Sequence, residues 1–309
     1  MKKFFMLLIA AVLMVTAPAN AQNSHSIDNA DAAADVAGDS AEKFYASLPQ
    51  AKGDYKSKRR PILIEGAMNV ETEILVRALK NPVVYRELNW LFVAGTYENY
   101  PVVIVRTEQG VANAAASTAL AIKKFNPVAV ISQGTAGGHD PALKIGDIVI
   151  AASTFDYTAI KTPYTPKGAG FDITQQEMRG TYSYDANTKK FQPYAEYRAD
   201  TTLFNMAFAA ANNFSGANVV SGVIATGNAW LQGLDHINFL HERYGSSCEE
   251  METSAAAQVC HTANVPFIGI RVLSDNITTG HDYNPHVAKS CQEFVLLVAQ
   301  HYIRNILQK

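Results

Sequence analysis

The sequence has few cysteines, no excess of one charge and, past its N-terminus, no long apolar run. Its 26 basic and 28 acidic residues nearly balance and form no basic stripe, so nucleic-acid polymers and anionic membranes are not expected partners. Three cysteines make no disulfide framework, although a bond between Cys248 and Cys291 stays open. No apolar stretch beyond the N-terminus is long enough to cross a bilayer. These features argue against a disulfide-stapled or multispanning membrane protein.

Metal-ligating residues do not form a recognisable motif. The segment 281–286 (HDYNPH) holds two histidines, but it is typical of a turn, and its spacing matches no helix-borne metal site. His139 and His261 are interpreted as structural histidines. We therefore expect no metal and no other cofactor.

The N-terminus has the pattern of a signal peptide. Lys2 and Lys3 precede an apolar run over residues 4–15, and Ala19-Asn20-Ala21 supplies a small-x-small cleavage site. We expect cleavage after residue 21 and a periplasmic or secreted protein, with an uncleaved anchor or a first core helix as the alternatives. Residues 22–58 are interpreted as a linker or short appended segment, and residues 59–309 as the functional domain.

Strand-like and helix-like segments alternate along that domain. Continuous apolar runs predict strands at residues 61–65, 128–132, 147–152, 219–225 and 267–273. A hairpin is predicted over 91–95 and 102–107, and helical spacing predicts helices at 71–80, 112–125, 202–212, 234–242, 253–263 and 285–307. This order favours one α/β domain with a mixed sheet that is covered on both faces. Residues 155–200 show no sustained period, which is typical of a lid or of hidden short hairpins.

Polar and glycine residues collect where the predicted strands end. Because open α/β sheets bind ligands at the carboxyl ends of their strands, these ends predict one shared pocket. Three of them carry the acids Glu71, Glu252 and Asp275. Cleaving a base from a sugar needs an acid on the leaving base and a base on the attacking water. Asp275 and Glu71 suit those two tasks, and Glu252 suits the ribose hydroxyls.

Four sequence blocks, in order, resemble the methylthioadenosine/S-adenosylhomocysteine nucleosidases of the nucleoside phosphorylase superfamily. They are GAMNVE at 66–71, SQGTAGG with LKIGDIV at 132–149, EMETSAAAQVC at 250–260, and VPF with RVLSD at 265–275. The resemblance implies a three-layer α/β/α sandwich around a mixed, partly barrel-like sheet. It also implies a homodimer that hydrolyses the N-glycosidic bond of a purine nucleoside.

The resemblance assigns a role to each matching residue. Glu71 would activate the water, Asp275 would protonate purine N7, and Ser274 would position that acid. The remaining binding residues would be Glu252 on the ribose hydroxyls, Met251 beneath the sugar, Arg271 near the water and ribose, Trp230 stacked on the base, and Thr135 and Ala136 along the sugar–base pocket. The plainer alternatives are a first-turn glutamate at Glu71, a helix cap at Glu252, a strand end at Asp275 and a core tryptophan at Trp230.

Two other functions fit the same fold. A purine nucleoside phosphorylase needs cations to bind phosphate. Phosphorylases of this superfamily carry two arginines for that purpose, and this sequence has the Met68–Val70 stretch and Gln133 at their positions. A non-catalytic nucleoside-binding or storage protein would not need the three carboxylates. Asn228 stands where the nucleosidases carry an aspartate, which suggests that an acid is missing near the base. The substrate is therefore expected to be either a methylthioadenosine-like compound or another salvaged nucleoside.

Overall fold

The computed structural model describes residues 41–185, 188–280 and 282–308. The predicted signal peptide, residues 22–40 of the appended segment and His281 lie outside the described residues. Residues 41–47, the first to be described, are helical (α1). Ala41 and Tyr45 of α1 are buried in the main core, and the Tyr45 hydroxyl lies 2.9 Å from Thr72 Oγ1. The described end of the appended segment therefore packs on the domain.

The central sheet is mixed and partly closed into a barrel. Its strands are β1 (Ile62–Gly66), β2 (Lys80–Glu87), β3 (Trp90–Tyr97), β4 (Tyr100–Arg106), β5 (Ala129–Gly138), β6 (Ile148–Asp156), β11 (Tyr197–Arg198), β12 (Val219–Thr226), β13 (Ser246–Glu250) and β14 (Phe267–Asp275). Two small ribbons join β7 (Ile160–Lys161) to β8 (Glu177–Met178) and β9 (Thr181–Asp185) to β10 (Lys190–Tyr194). The sheet order is β11-β6-β12-β13-β5-β1-β4-β3-β2, and β14 joins β5 to β6. This link closes a five-strand ring of β5, β14, β6, β12 and β13.

Helices cover both faces of the sheet. They are α2 (Asn69–Arg77), α3 (Val111–Phe125), α4 (Thr201–Ala211), α5 (Leu234–Tyr244), α6 (Thr253–Ala263) and α7 (Ala288–Tyr302), which continues as a π-helical turn at Ile303–Leu307. Helices α1, α2, α4 and α7 share one core cluster with the sheet, and α3 and α6 share a second. The predicted α/β sandwich around a mixed, partly barrel-like sheet is confirmed.

The structure differs from the sequence prediction in two places. The helix predicted over 71–80 ends at Arg77, and the unpredicted edge strand β2 follows it. Pro82 and alternating exposed residues concealed that strand, since a proline is tolerated at a sheet edge. Strand β5 runs on through the glycine block to Gly138. Residues 155–200 contain the two ribbons and β11, in agreement with hidden hairpins.

All three cysteines are free, buried thiols, so the possible Cys248–Cys291 bond is not formed. The two lie in different core clusters. Among the described residues no helix combines the length and apolar character that a bilayer crossing requires.

Candidate active site

One cavity lies where β5, β13 and β14 end and where β1 leads into α2. It is lined by Ala67, Met68, Glu71, Gln109, Thr135, Ala136, Gly137, Ala229, Trp230, Glu249, Glu250, Met251, Glu252, Ser274, Asp275 and Tyr283. Eight of the nine residues predicted from the sequence line this cavity, and Arg271 is the exception. The strand-end argument therefore located the pocket.

Glu71 lies in the first turn of α2 with its side chain buried against the cavity. Its Oε2 accepts the backbone N–H groups of Ala67 (2.9 Å) and Met68 (3.0 Å). Its Oε1 accepts the backbone N–H (2.8 Å) and the hydroxyl (3.0 Å) of Thr135. A Cβ on Gly134 would lie 2.7 Å from Oε1, so only glycine leaves room for this carboxylate. Glu71 thus supports the helix start and faces the pocket.

Glu252 is the residue before α6, but its side chain does not cap that helix. Glu250 does so instead, because its Oε2 accepts the N–H groups of Glu252 (3.0 Å) and Thr253 (2.8 Å). Oε1 of Glu252 accepts the Gly110 N–H at 2.8 Å. Burial, and next the charge of Glu250, raise the pKa of Glu252. The carboxyl of Glu252 is therefore available to a ligand.

Arg271 lies behind these acids rather than in the cavity wall. Its Nη2 is 2.6 Å from Glu250 Oε2 and 3.8 Å from Glu252 Oε2, and it donates to Ser132 Oγ at 3.3 Å. Burial alone would lower the pKa of Arg271, but the charges of Glu250 and Glu252 raise it above its ordinary value. The arginine fixes Glu250 and lies near Glu252, and both of these acids line the cavity.

Asp275, at the end of β14, is held by two neighbours. The Ser274 hydroxyl donates to Oδ1 at 2.9 Å, and the Trp230 indole N–H lies 3.4 Å from Oδ2. Burial raises the pKa of Asp275, and these two donors oppose the rise. An acid whose proton is held more tightly is suited to protonating a leaving group.

Trp230 is not a core residue, since 42% of its surface is exposed. Its ring packs against Tyr283, with centroids 5.1 Å apart and an angle of 55° between the planes. Met251, Thr135 and Ala136 line the same cavity. Together these side chains give the pocket apolar and aromatic walls between its acids.

Sequence reasoning missed several lining residues, above all Glu249. Its Oε1 accepts the Leu231 N–H at 3.0 Å, and its Oε2 is buried without a hydrogen-bond partner among the described residues. Asn228, which stands where the family carries an acid, is not in the cavity wall, and its Oδ1 accepts the Val111 N–H at the start of α3. Alternation along the short, fully buried β13 gave no signal that Glu249 faces the pocket.

Five carboxyls line the cavity, and none of the described lining residues is lysine, arginine or histidine. Arg106 contacts the start of α2, but its guanidinium is already bound to Glu42, Glu108 and Asn69. Gln133, at a position where phosphorylases carry a phosphate arginine, donates to the Glu71 carbonyl at 2.7 Å. No group of three or more acidic, histidine or cysteine side chains among the described residues is arranged to hold a metal ion.

Comparison with known proteins is consistent with this geometry. Residues 61–307 match the family model of the phosphorylase superfamily. The chain is 34% identical over 215 residues to the 5′-methylthioadenosine/S-adenosylhomocysteine nucleosidase of Anoxybacillus flavithermus, covering 69% of this chain and 84% of that protein. It is 32% identical over 238 residues to the enzyme of the same name from Shewanella frigidimarina, covering 76% and 95%. The crystal structure of the Neisseria meningitidis nucleosidase in complex with methylthio-immucillin-A superposes with a TM-score of 0.64 at 25% identity, covering 78% of this chain and 99% of that one.

Proposed function

The chain belongs to the phosphorylase superfamily, and from that premise we propose that it is a purine nucleosidase, which hydrolyses the N-glycosidic bond to free base and a ribose derivative. The observation that carries this proposal is the cavity wall, with acids at both ends and no cation among its described residues. The relatives named as methylthioadenosine/S-adenosylhomocysteine nucleosidases support the same reaction.

The acids divide the reaction between them. Asp275 protonates N7 of the purine, so that the base leaves as a neutral molecule when the bond from C1′ to N9 breaks. Glu252 accepts hydrogen bonds from the ribose hydroxyls and so holds the sugar while C1′ takes on oxocarbenium character. Glu71 takes the proton of the water that attacks C1′. Glu71 accepts four hydrogen bonds, three from backbone N–H groups and one from the Thr135 hydroxyl, so this rotatable hydroxyl is the donor that gives way to the water.

Electrostatics favours water over phosphate as the attacking group. Phosphate is an anion that calls for arginine or a nest of backbone amides. Here the buried guanidinium of Arg271 is paired with Glu250, and the backbone amides of Ala67, Met68 and Thr135 already serve Glu71. The described lining residues of the cavity therefore supply no positive charge to hold a phosphate dianion.

The retained acids also favour an enzyme over a storage protein. A protein that only binds nucleosides has no need of an acid beside N7 or of a base opposite C1′. Asp275 and Glu71 are both present in the cavity. The thioether nucleosides named for the relatives and other salvaged purine nucleosides both stay candidate substrates.

A product assay tests the reaction type. The purified protein is incubated with methylthioadenosine, adenosine and inosine, each with and without phosphate, and the sugar product is identified. We expect a free ribose derivative in the absence of phosphate. A ribose 1-phosphate formed only when phosphate is added would identify a phosphorylase. Binding without turnover would identify a storage protein.

We further propose that the protein is a homodimer. An apolar groove between α3 and α6 is lined mainly by small or aliphatic residues, among them Ala112, Ala115, Ala119, Ala255 and Val259. Exposed apolar grooves of this kind are typical of subunit interfaces. Sedimentation should give twice the monomer mass, and Ala119→Arg, which introduces a charge into the groove, should shift the protein to monomer. A monomeric wild type would contradict the proposal.

Export of the protein is also a proposal, and it rests on the sequence of residues 1–21. N-terminal sequencing of protein from the periplasmic fraction should begin at Gln22. A chain that retains Lys2 and Lys3 in the cytoplasm would overturn it.

A further inference from the structure

Two carboxyl residues flank a single glycine in the middle of the sheet. Gly137 of β5 pairs with Asp275 of β14 on one side and with Glu249 of β13 on the other. A Cβ on Gly137 would lie 3.3 Å from Asp275 Oδ2 and 3.3 Å from Glu249 Oε1. The two carboxyl oxygens therefore lie within twice that distance of each other. Because Gly137 has no side chain, nothing from β5 separates them.

Two consecutive residues of the loop between β12 and α5 hold these carboxyls in place. The Trp230 indole N–H lies against Asp275 Oδ2, and the Leu231 backbone N–H donates to Glu249 Oε1. Only 3% of Glu249 is exposed, and its Oε2 has no partner among the described residues. A buried, unpaired polar oxygen in a cavity wall is costly unless a ligand satisfies it. Glu249 thus lines the cavity with Asp275 and carries a second carboxyl oxygen that is buried and unpaired among the described residues.

The surroundings of Glu249 are acidic. Asp275 faces it from β14, and Glu250 and Glu252 follow it in sequence; burial, and to a smaller extent these charges, raise the pKa of Glu249 to about 8. The Tyr157 phenol, next to the end of β6, and the Cys248 thiol are also nearby, and both stay neutral because burial above all raises their pKa values. The carboxyl of Glu249 therefore carries a proton at neutral pH.

We infer that Glu249 is a second base-recognition residue, and that together with Asp275 it lets this pocket accept nucleosides of 6-oxopurines as well as of 6-aminopurines. This inference rests on the proposed nucleosidase function and names its substrate class. The contacts proposed above for the purine N7, the attacking water and the ribose give no role to Glu249.

The chemistry of the purine edge requires a second donor. Adenine presents the N7 acceptor and a 6-amino donor, whereas guanine and hypoxanthine present two acceptors, N7 and O6. One protonated carboxyl offers one O–H and one carbonyl oxygen, so Asp275 alone matches the adenine edge. A 6-oxopurine needs two donors. The protonated Glu249 supplies the second O–H, and when it loses that proton it can only repel O6.

The test compares substrates that differ only at position 6. Values of kcat/KM are measured for the pairs adenosine and inosine, and methylthioadenosine and methylthioinosine, from pH 6 to pH 9.5. Any effect of pH on the ionisation of Asp275 or on the binding of the sugar is common to both members of a pair, so it cancels in the ratio of their kcat/KM values. We expect the 6-oxo to 6-amino ratio of the wild type to fall about tenfold as Glu249 ionises, which corresponds to the loss of one hydrogen bond.

Two variants separate recognition from structure. Glu249→Gln keeps a donor at every pH, so its ratio should change only through the alkaline ionisation of the 6-oxopurine itself, which gives the baseline. Glu249→Leu should lower kcat/KM for the 6-oxo substrates about tenfold or more while changing the 6-amino substrates less than about threefold. Glu65→Gln is the matched control, because Glu65 is also a buried carboxyl with a raised pKa but does not line the cavity.

The outcomes are distinct. Cleavage of adenosine-type substrates without any cleavage of 6-oxopurine nucleosides overturns the inference and leaves the nucleosidase function intact. Equal losses for both substrates in Glu249→Leu, or a Glu249→Gln ratio with the same pH profile as the wild type, also overturn it. Failure to cleave any nucleoside would instead contradict the proposed nucleosidase function.

Discussion

Glu250 Oε2 accepts the backbone N–H of Glu252 at 3.0 Å, so Glu250 caps α6, the helix that starts directly after Glu252. The same oxygen takes the guanidinium of Arg271 at 2.6 Å. Glu250 therefore serves the fold, while Glu252 keeps its carboxyl for the cavity. Two acids separated by one residue thus have different tasks, because Glu250 is hydrogen-bonded to the buried cation at 2.6 Å, whereas Glu252 lies 3.8 Å from it.

Replacing Glu250 should destabilise the protein more than any other single change in the site. Glu250→Gln leaves the buried Arg271 charge without its carboxylate, and losing one partner of a buried ion pair costs about 3–5 kcal/mol. The free energy of unfolding, measured with urea, should fall by that amount. The double variant Glu250→Gln, Arg271→Met should recover part of the loss. A single variant as stable as the wild type would contradict the pairing.

Replacing Glu252 should weaken ribose recognition selectively. Glu252→Gln replaces the carboxyl that accepts from the ribose hydroxyls with an amide that has a single acceptor oxygen, so kcat/KM for ribonucleosides should fall about 10- to 100-fold. The loss for the matching 2′-deoxynucleosides should be smaller, since they lack one of the hydroxyls. Glu73→Gln, which breaks an ion pair of the partly exposed Glu73 with Arg77 outside the cavity, is the control. Equal losses for both sugars would remove the ribose role.

Replacing Asp275 should abolish leaving-group protonation. Asp275→Asn keeps the size of the side chain but has no acidic proton, so kcat should fall about 10²- to 10⁴-fold. Because burial raises the pKa of Asp275, the wild type should keep its acid form to higher pH than an ordinary aspartate, and activity should decline as pH rises through that value. Asp147→Asn, a buried aspartate outside the cavity, is the control. Near-normal activity of Asp275→Asn would overturn the assignment.

Trp230 should report the bound base. The protein has two tryptophans, Trp90 on β3 and the half-exposed Trp230 in the cavity wall. A purine stacked on Trp230 should quench its fluorescence during titration with adenine. The Trp90→Phe variant should show the full quench, and Trp230→Phe should show none. Quenching that survives in Trp230→Phe would place the base elsewhere.

Stability should decline with pH because of Glu65. Burial raises the pKa of Glu65 from 4.5 to about 7, and the Thr118 hydroxyl and Arg271 only partly oppose it. The folded state therefore holds this proton more tightly than the unfolded chain, and its stabilising effect, complete below 4.5, is lost as pH rises through about 7. The loss is at most about 3 kcal/mol. Urea unfolding at pH 5 and pH 8 should show a smaller decline in Glu65→Gln, and an unchanged decline would contradict this account.

The sequence predicted best where the residue pattern has one physical meaning. Continuous apolar runs identified β1, β5, β12 and β14, since only a sheet buried on both faces accepts them. The acids at their ends located the pocket, because parallel strands end at one edge. Glu71, Glu252 and Asp275 were found in this way, and all three line the cavity.

The sequence did not predict the position of a side chain relative to the cavity where that position depends on partners far away in the chain. Arg271 lies within an apolar strand, and nothing in that strand indicates that Glu250 draws its guanidinium behind the pocket wall. Glu249 precedes a recognised motif and lacks a motif of its own. Its place in the wall follows only from the pairing of β13 with Gly137 across the ring. Strand β2 was missed because edge strands tolerate proline and need no apolar run.

The closed ring of five strands bears on how this protein can diverge. Strand β6, which leads into residues 157–196, already pairs with β12 along its length and with β14 at its start. Insertions and deletions after β6 therefore leave no ring strand without a neighbour, and the acids carried by β13 and β14 keep their positions. Mutation can therefore remodel the long segment, none of whose described residues lines the cavity, while the ring strands stay constrained, so descendants of this chain can change this segment without moving the acids of the pocket.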